Sequence, residues 1–247
     1  MAFNYSPKII TDGLVLYLDA ANTRSYPTTG TIWSDLSRNN NNGTLINGPI
    51  FSGTNGGYIR CDGSNDYGEV IDSSTLDFGS SSFTIEYWFR KLSSTTGGSR
   101  NIWGPNKWNT GANPGSNEWI LGIGNLETGT GDNYSFGVQV GGNFYRTSPS
   151  VDVLQLNTWY QLIGMRDGGT LKNYLNGQPK QTSSPAGFTS ASTINNISGR
   201  NLRFCVSALN SLHVNCDTSI IRIYNKALTD SEVLQNYNAT KGRFGLT

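Results

Sequence analysis

Alternating apolar and polar positions mark this chain as a succession of short strands closed by one helix. Residues 83–89 (FTIEYWF) set Phe83, Ile85, Tyr87 and Phe89 against Thr84, Glu86 and Trp88, the period-two pattern of a strand. In residues 219–224, Ile220 and Tyr224 alternate with Ile221 and Ile223, so both faces are apolar. That predicts a strand inside a packed sheet and not at a wet edge. Thr229 then opens a helix, and Glu232 three residues on completes a capping box worth ~1 kcal/mol. Val233, Leu234 and Tyr237 form its apolar side. A helix of about eleven residues does not persist alone in water, so it must dock on the sheet. Residues 13–19 (GLVLYLD) are the natural neighbour of the closing strand, which would join the two ends of the domain.

Between those ends, residues 57–61 and 68–71 read as two strands joined by Asp62-Gly63-Ser64-Asn65-Asp66. Residues 118–123, 134–140 and 143–147 continue the meander, and 159–166 with 170–176 form a hairpin across Asp167-Gly168-Gly169. A strand over 201–206 precedes the last one. Residues 20–47 and 93–117 read as long connections, the second rich in glycine. Short strands with turn signals between them predict an all-β fold, a two-sheet antiparallel β-sandwich with jelly-roll connections and a short C-terminal helix. No linker or composition shift divides the chain. The expected organisation is an N-terminal arm over 1–12, lying against its own domain or a neighbouring subunit, and one domain over 13–247.

Composition narrows the function. At 247 residues, one core would bury roughly 70–75% of the unfolded surface, so no staples are required. A net charge of +1 offers no electrostatic footprint for nucleic acid or an anionic membrane. No apolar run approaches the ~20 residues of a membrane span, and residues 1–12 contain no apolar leader segment. The expectation is a chain made in a reducing cytoplasm with no membrane insertion. Cys61, Cys205 and Cys216 are odd in number and lack C-x-x-C spacing, which favours three buried or half-buried thiols; one bridge plus one free thiol stays open.

Several blocks together resemble the concanavalin A-like lectin/glucanase superfamily in its laminin-G-like form. They are Cys61-Asp62-Gly63-Ser64-Asn65-Asp66-Tyr67, residues 83–89, Thr158-Trp159-Tyr160 through Tyr174-Leu175-Asn176-Gly177, and Ile223-Tyr224-Asn225-Lys226-Ala227-Leu228-Thr229. The opening, Asp12-Gly13-Leu14 through Asp19-Ala20-Ala21-Asn22 with Trp33-Ser34-Asp35-Leu36-Ser37 and Asn42-Gly43-Thr44, resembles the version in structural proteins of tailed bacteriophages. The resemblance implies two curved antiparallel sheets, one concave and one convex, with glycans or proteins bound at the concave face and its loops.

Catalysis is argued against. His213 is the only histidine, and a structural role suits it better than a nucleophilic centre. Glucanases of the superfamily carry E-x-D-x-E along one strand, whereas Glu86 here stands alone before Tyr87, Trp88, Phe89 and Arg90. No cofactor is required, but the resemblance makes Ca²⁺ the candidate metal, with Asp62, Asn65 and Asp66 offering oxygens in one loop. Ser219 stands where relatives often have an aspartate, with Asp217 two residues early, and the same loop residues would equally serve to shape a turn. For glycan contact, Trp103, Asn106, Trp108, Asn109 and Asn113 cluster in the second long connection. Trp108 is the candidate exposed stacking platform, with packing beneath the loop as the alternative; Trp88, Trp119 and Trp159 read as core. The expectation is a non-enzymatic virion structural protein of a tailed phage, a decoration or adhesion domain on the virion surface assembled in the host cytoplasm. Its partners would be other virion proteins, further copies of itself as a homo-oligomer, and a host-surface glycan. The alternative is a soluble calcium-dependent carbohydrate-binding lectin, and the third reading a glycoside hydrolase.

Overall fold

The structure, a computed structural model, describes residues 7–93, 104–108, 117–123, 132–150, 152–206 and 213–247. Within them the first strands are β1 (Leu14–Asp19), β2 (Ile32–Trp33), β3 (Gly43–Ile46), β4 (Ile50–Ser52), β5 (Tyr58–Asp62) and β6 (Tyr67–Val70). There follow β7 (Phe83–Lys91), β8 (Trp119–Ile123), β9 (Tyr134–Val140), β10 (Asn143–Arg146) and β11 (Trp159–Asp167). The last are β12 (Thr170–Leu175), β13 (Gln178–Ser183), β14 (Leu202–Phe204) and β15 (Asn215–Tyr224), before helix α1 (Asp230–Thr240).

One antiparallel sheet runs β13-β12-β11-β7-β15-β5-β4, with β1 also paired to β15. β15 meets β7 along one edge; on the other, its first half meets β5 and its second half meets β1, with Leu16 opposite Ile223 and Leu18 opposite Ile221. The two ends of the chain are therefore zipped together as the apolar pattern predicts. The second sheet comes in two parts, β10-β9-β8 and β14-β6-β3-β2. Asn106 pairs with both Ile120 and Arg203 and joins them. Asn106 N donates to Arg203 O (2.9 Å), Lys107 N to Trp119 O (3.0 Å) and Leu121 N to Pro105 O (3.1 Å). Residues 105–108, expected in a loop, thus fill the gap in a continuous sheet.

Ile85, Tyr87, Phe89, Leu162, Ile221 and Ile223 from the first sheet pack against Trp119, Leu121, Phe136, Val138, Leu202 and Phe204 from the second. The outer face of the first sheet is also covered. Trp88, Trp159 and Ile220 lie beneath Tyr237 of α1 and Phe244 of the 3-10 turn Lys241–Phe244. Phe244 stacks on Trp88 at 4.7 Å and tilts onto Trp159 at 4.6 Å. Two-sided burial explains why the residues of β7 that alternation would leave facing water are large or fully bonded. The capping box is present, with Glu232 N donating to Thr229 Oγ1 (3.2 Å) and Thr229 N to Glu232 Oε2 (2.8 Å). Leu234, expected on the docked side, is 40% exposed, and Asn236 is buried in its stead.

Asn236 is buried because it is fully employed. Its Nδ2 donates to Glu86 Oε2 (2.9 Å) and its Oδ1 accepts Ile10 N (2.8 Å). With Gln235 Nε2 on Lys8 O (2.7 Å), this holds the described part of the N-terminal arm against α1 of its own domain. Residues 1–6 lie outside the described residues. Cys61, Cys205 and Cys216 are free and buried, with Cys205 Sγ 3.2 Å from Cys216 Sγ.

Candidate functional site

Trp108 is 8% exposed and sits edge-on to Phe144 at 4.7 Å, against Ile120. The expected exposed platform is thereby corrected: the ring fills the outer surface of the spliced sheet. Asn106 is buried, its Nδ2 donating to Gly104 O (3.1 Å) and Arg203 O (3.2 Å). Trp103, Asn109 and Asn113 lie outside the described residues. Trp88, Trp119 and Trp159 are core.

The Asp62–Asp66 loop uses its carboxylates on itself. Asp62 Oδ1 accepts Ser64 N (2.7 Å) and Asn65 N (3.4 Å), which holds its pKa below the usual carboxylate value. Asp66 Oδ2 accepts Asp62 N (3.1 Å), and burial pushes that carboxyl up. Asn65 contributes its carbonyl to Asn47 Nδ2 (2.9 Å). A hard cation needs six or more convergent oxygens. Asp62 and Asn65 are exposed, but Asp62 Oδ1 and Asp66 Oδ2 are taken by the loop's own N–H groups, and among the described residues no group of three or more His, Cys, Asp or Glu is disposed to hold a metal. His213 Nδ1 lies 3.3 Å from Asp66 O with its ring beside Tyr67.

Glu86, the lone carboxylate of the strand comparable to that of the glucanases, is fully buried. Its Oε1 accepts Trp88 Nε1 (2.9 Å), Gln161 Nε2 (2.9 Å) and Arg222 Nη1 (2.8 Å). Every donor it takes comes from the protein, which describes a structural anchor beneath α1.

A polar cleft of about 280 Å³ opens instead where β1, the loop after β2, the turn Ser74–Leu76 and the residue after β15 converge. Val15, Asn39, Thr75, Asp77, Phe78 and Asn225 line it, together with Ser74 and Ser81. Its wall is organised by Asp35, whose Oδ1 accepts Tyr17 N and Ser37 N (both 2.8 Å) and whose Oδ2 accepts Asn41 N (3.0 Å). Asn41 Nδ2 then donates to Val15 O and Thr75 Oγ1, both at 2.8 Å. Phe78 forms a rigid floor, stacked on Phe83 at 4.2 Å. The side chains of Ser74, Ser81 and Asn225 make no hydrogen bond among the described residues, although each lies on the cleft. Unspent hydroxyls and an amide over an apolar floor complement a ligand with hydroxyls on one side and C–H on the other.

Asp77 is held by an unusual neighbour. The fully buried Lys107 Nζ lies 2.8 Å from Asp72, 2.6 Å from Asp77 and 3.0 Å from Glu118. Burial alone would lower the Lys107 pKa, but the charge of Glu118 and hydrogen bonds to Asp72 and Asp77 raise it. Burial likewise pushes Glu118 up, to about 7, despite the attraction of Lys107. The two directions are compatible because three carboxylates share one ammonium. Asp72 and Asp77 already neutralise it, and Asp77 repels the Glu118 charge. No motif announced this cleft. The available signals were the Asn39–Asn42 run and the serines around Leu76, which also read as ordinary turn chemistry.

No curated protein matches the chain. Among solved structures it resembles the binding domain of Paraclostridial Mosquitocidal Protein 1, with a TM-score of 0.68 and 19% identity over 93% of this chain and 52% of that one. The binding domain of Botulinum Neurotoxin DC in complex with SialylT gives 0.63 and 14% over 93% and 52%. Domain 4 of AbnA, a GH43 extracellular arabinanase from Geobacillus stearothermophilus, in complex with arabinotriose, gives 0.63 and 16% over 91% and 98%. The chain spans about half the length of the toxin binding domains. These comparisons correct the expectation of a phage virion protein, since they set the chain beside toxin and carbohydrate-binding domains and lend the phage resemblance no support. Among the described residues no helix is long and apolar enough to cross a membrane. A family profile matches residues 62–234, most of the chain, and with the two-sheet sandwich built above it shows that the chain belongs to the concanavalin A-like lectin/glucanases superfamily.

Proposed function

We propose that this chain is a non-catalytic carbohydrate-binding domain whose site is the cleft between Val15, Asn39, Phe78 and Asn225. The observation that carries the reading is the set of unspent side chains there, Ser74, Ser81 and Asn225, above the fixed ring of Phe78. Asp77, oriented by Lys107, adds a fixed acceptor. The arabinotriose complex of AbnA Domain 4 supports carbohydrate as the ligand class. The engagement of both Glu86 oxygens by protein donors supports the non-catalytic reading.

Nuclear magnetic resonance titration with neutral oligosaccharides, arabinotriose among them, tests the proposal. A saturable shift of the Ser81 and Asn225 amides is expected, with Asn225→Ala weakening binding about tenfold through the lost amide. Chelator should leave the curve unchanged, since Asp62 Oδ1 and Asp66 Oδ2 are engaged within their own loop. A panel in which no sugar moves these signals would overturn the reading.

A further inference from the structure

We infer that the open end of the first sheet's outer face is a second binding site, for an oxyanion, and that the ligand carrying it is a carboxylated sugar. The sugar half rests on the carbohydrate reading above; the oxyanion half stands on its own geometry. Arg60, Asp217, Arg90 and Trp159 face one another in a single row across β5, β15, β7 and β11. Asp217 is fully buried, and two guanidiniums converge on it. Arg60 donates from Nε to Oδ1 (2.7 Å) and from Nη2 to Oδ2 (3.1 Å). Arg90 donates from Nε (2.8 Å) and Nη2 (2.6 Å), both to Oδ2.

One cation would neutralise one carboxylate. The second guanidinium brings like-charge repulsion and leaves the row with a surplus positive charge in a chain of nearly zero net charge. Among the described residues neither Nη1 has a partner, so each planar fork keeps an edge for a further oxyanion. Aromatic rings fix those forks. Tyr58 lies 5.5 Å from the Arg60 guanidinium and 5.2 Å from that of Arg90, and Trp159 lies 5.1 Å from Arg90. Trp159 Nε1 is buried without a hydrogen-bond partner, a donor still unspent in the same row. The side chain of Arg60 is 43% exposed and that of Arg90 18%, so the row meets solvent at the Arg60 end. The nearest acid along β5, Asp62, is engaged by the N–H groups of Ser64 and Asn65.

Glucuronate and glucose, which differ at one carbon by the carboxylate, provide the test. Titration with glucuronate should shift the Trp159 indole and the Arg60 and Arg90 side-chain N–H resonances to saturation, and glucose should not. Arg60→Gln should weaken glucuronate about tenfold or more through loss of charge-assisted bonds, with Arg60→Lys intermediate because it keeps the charge and loses the fork. Thermal melts of both variants confirm that the sheet persists. Sodium sulfate should displace glucuronate competitively, and the affinity should fall with added salt. No saturable response to either glucuronate or sulfate, or equal affinity in Arg60→Gln, overturns the site. A response to sulfate without one to glucuronate overturns the sugar assignment. Neutral sugars that move Ser81 and Asn225 while this row stays silent defeat this inference alone; the converse defeats the cleft alone.

Discussion

Glu118 carries the molecule's clearest acid–base consequence. Its pKa is about 7 in the folded protein against an ordinary 4.5, so the native state holds more protons than the unfolded chain between those values. Stability therefore falls as pH rises from about 4.5 to 7, by at most about 3 kcal/mol, and levels off above. Asp72 shifts the opposite way, so its contribution is lost only at pH values below the ordinary carboxylate range. Urea denaturation at intervals across pH 4.5 to 7 checks the sign. Glu118→Gln should flatten that window, and an unchanged slope in the variant would place the titration elsewhere. None of this was legible in the sequence, where Lys107 stands in what reads as a glycine-rich loop and Glu118, eleven positions on, opens the next strand. Glu86 was legible only as a carboxylate without a catalytic partner; that it serves as an anchor follows from Gln161, Arg222 and Asn236, which no local pattern brings together.

At the scale of elements, strands with a clear alternation were legible, including the short β5, β6, β8 and β10, whereas β2 and β3, inside the expected connection 20–47, and β4 and β13 were not. β7, β11 and β15 run nine or ten residues, enough for alternation and two-sided burial to be read directly. Residues 105–108 offer too few positions for a period and begin with a proline, yet they bridge partners at Ile120 and Arg203. Their register depends on pairing across 97 positions, which propensity does not encode. This placement separates two roles for Asn106. If its amide only seals the junction, Asn106→Ala should cost about 1–2 kcal/mol for two lost hydrogen bonds and leave cleft binding of sugars unchanged. Denaturation paired with a sugar titration on the same variant measures both. Lost affinity at full stability would return Asn106 to the binding surface. The Asp-Gly-Ser-Asn-Asp run has the same double reading: it supplies oxygens a cation would use, and the turn it builds takes up Asp62 Oδ1 and Asp66 Oδ2.

At the scale of the whole molecule, the Glu86 network is where the chain's two ends are tied to its middle. Glu86 lies on β7, Gln161 on β11 and Arg222 on β15, while Asn236 reaches in from α1 and passes the connection to Ile10 of the arm. Arg222 is itself fully enclosed, 4.9 Å from the Tyr17 ring of β1, and its charge is kept by Glu86 against the cost of burial. Neutralising the acid strands that guanidinium. Removing one partner of a buried pair costs about 3–5 kcal/mol, because the remaining charge has no water to return to. Glu86→Gln should therefore lower stability by about that amount, even though the amide preserves size and one acceptor. The loss should be spatially graded: the Ile10 amide and the amides of α1 should lose hydrogen-exchange protection before those of β8 and β9, which lie in the other sheet. Uniform loss across both sheets would mean that the ends are not a separable layer. Full retention of stability would mean that Arg222 finds another counter-charge, and that apolar packing under Phe244 alone holds the closing helix in place.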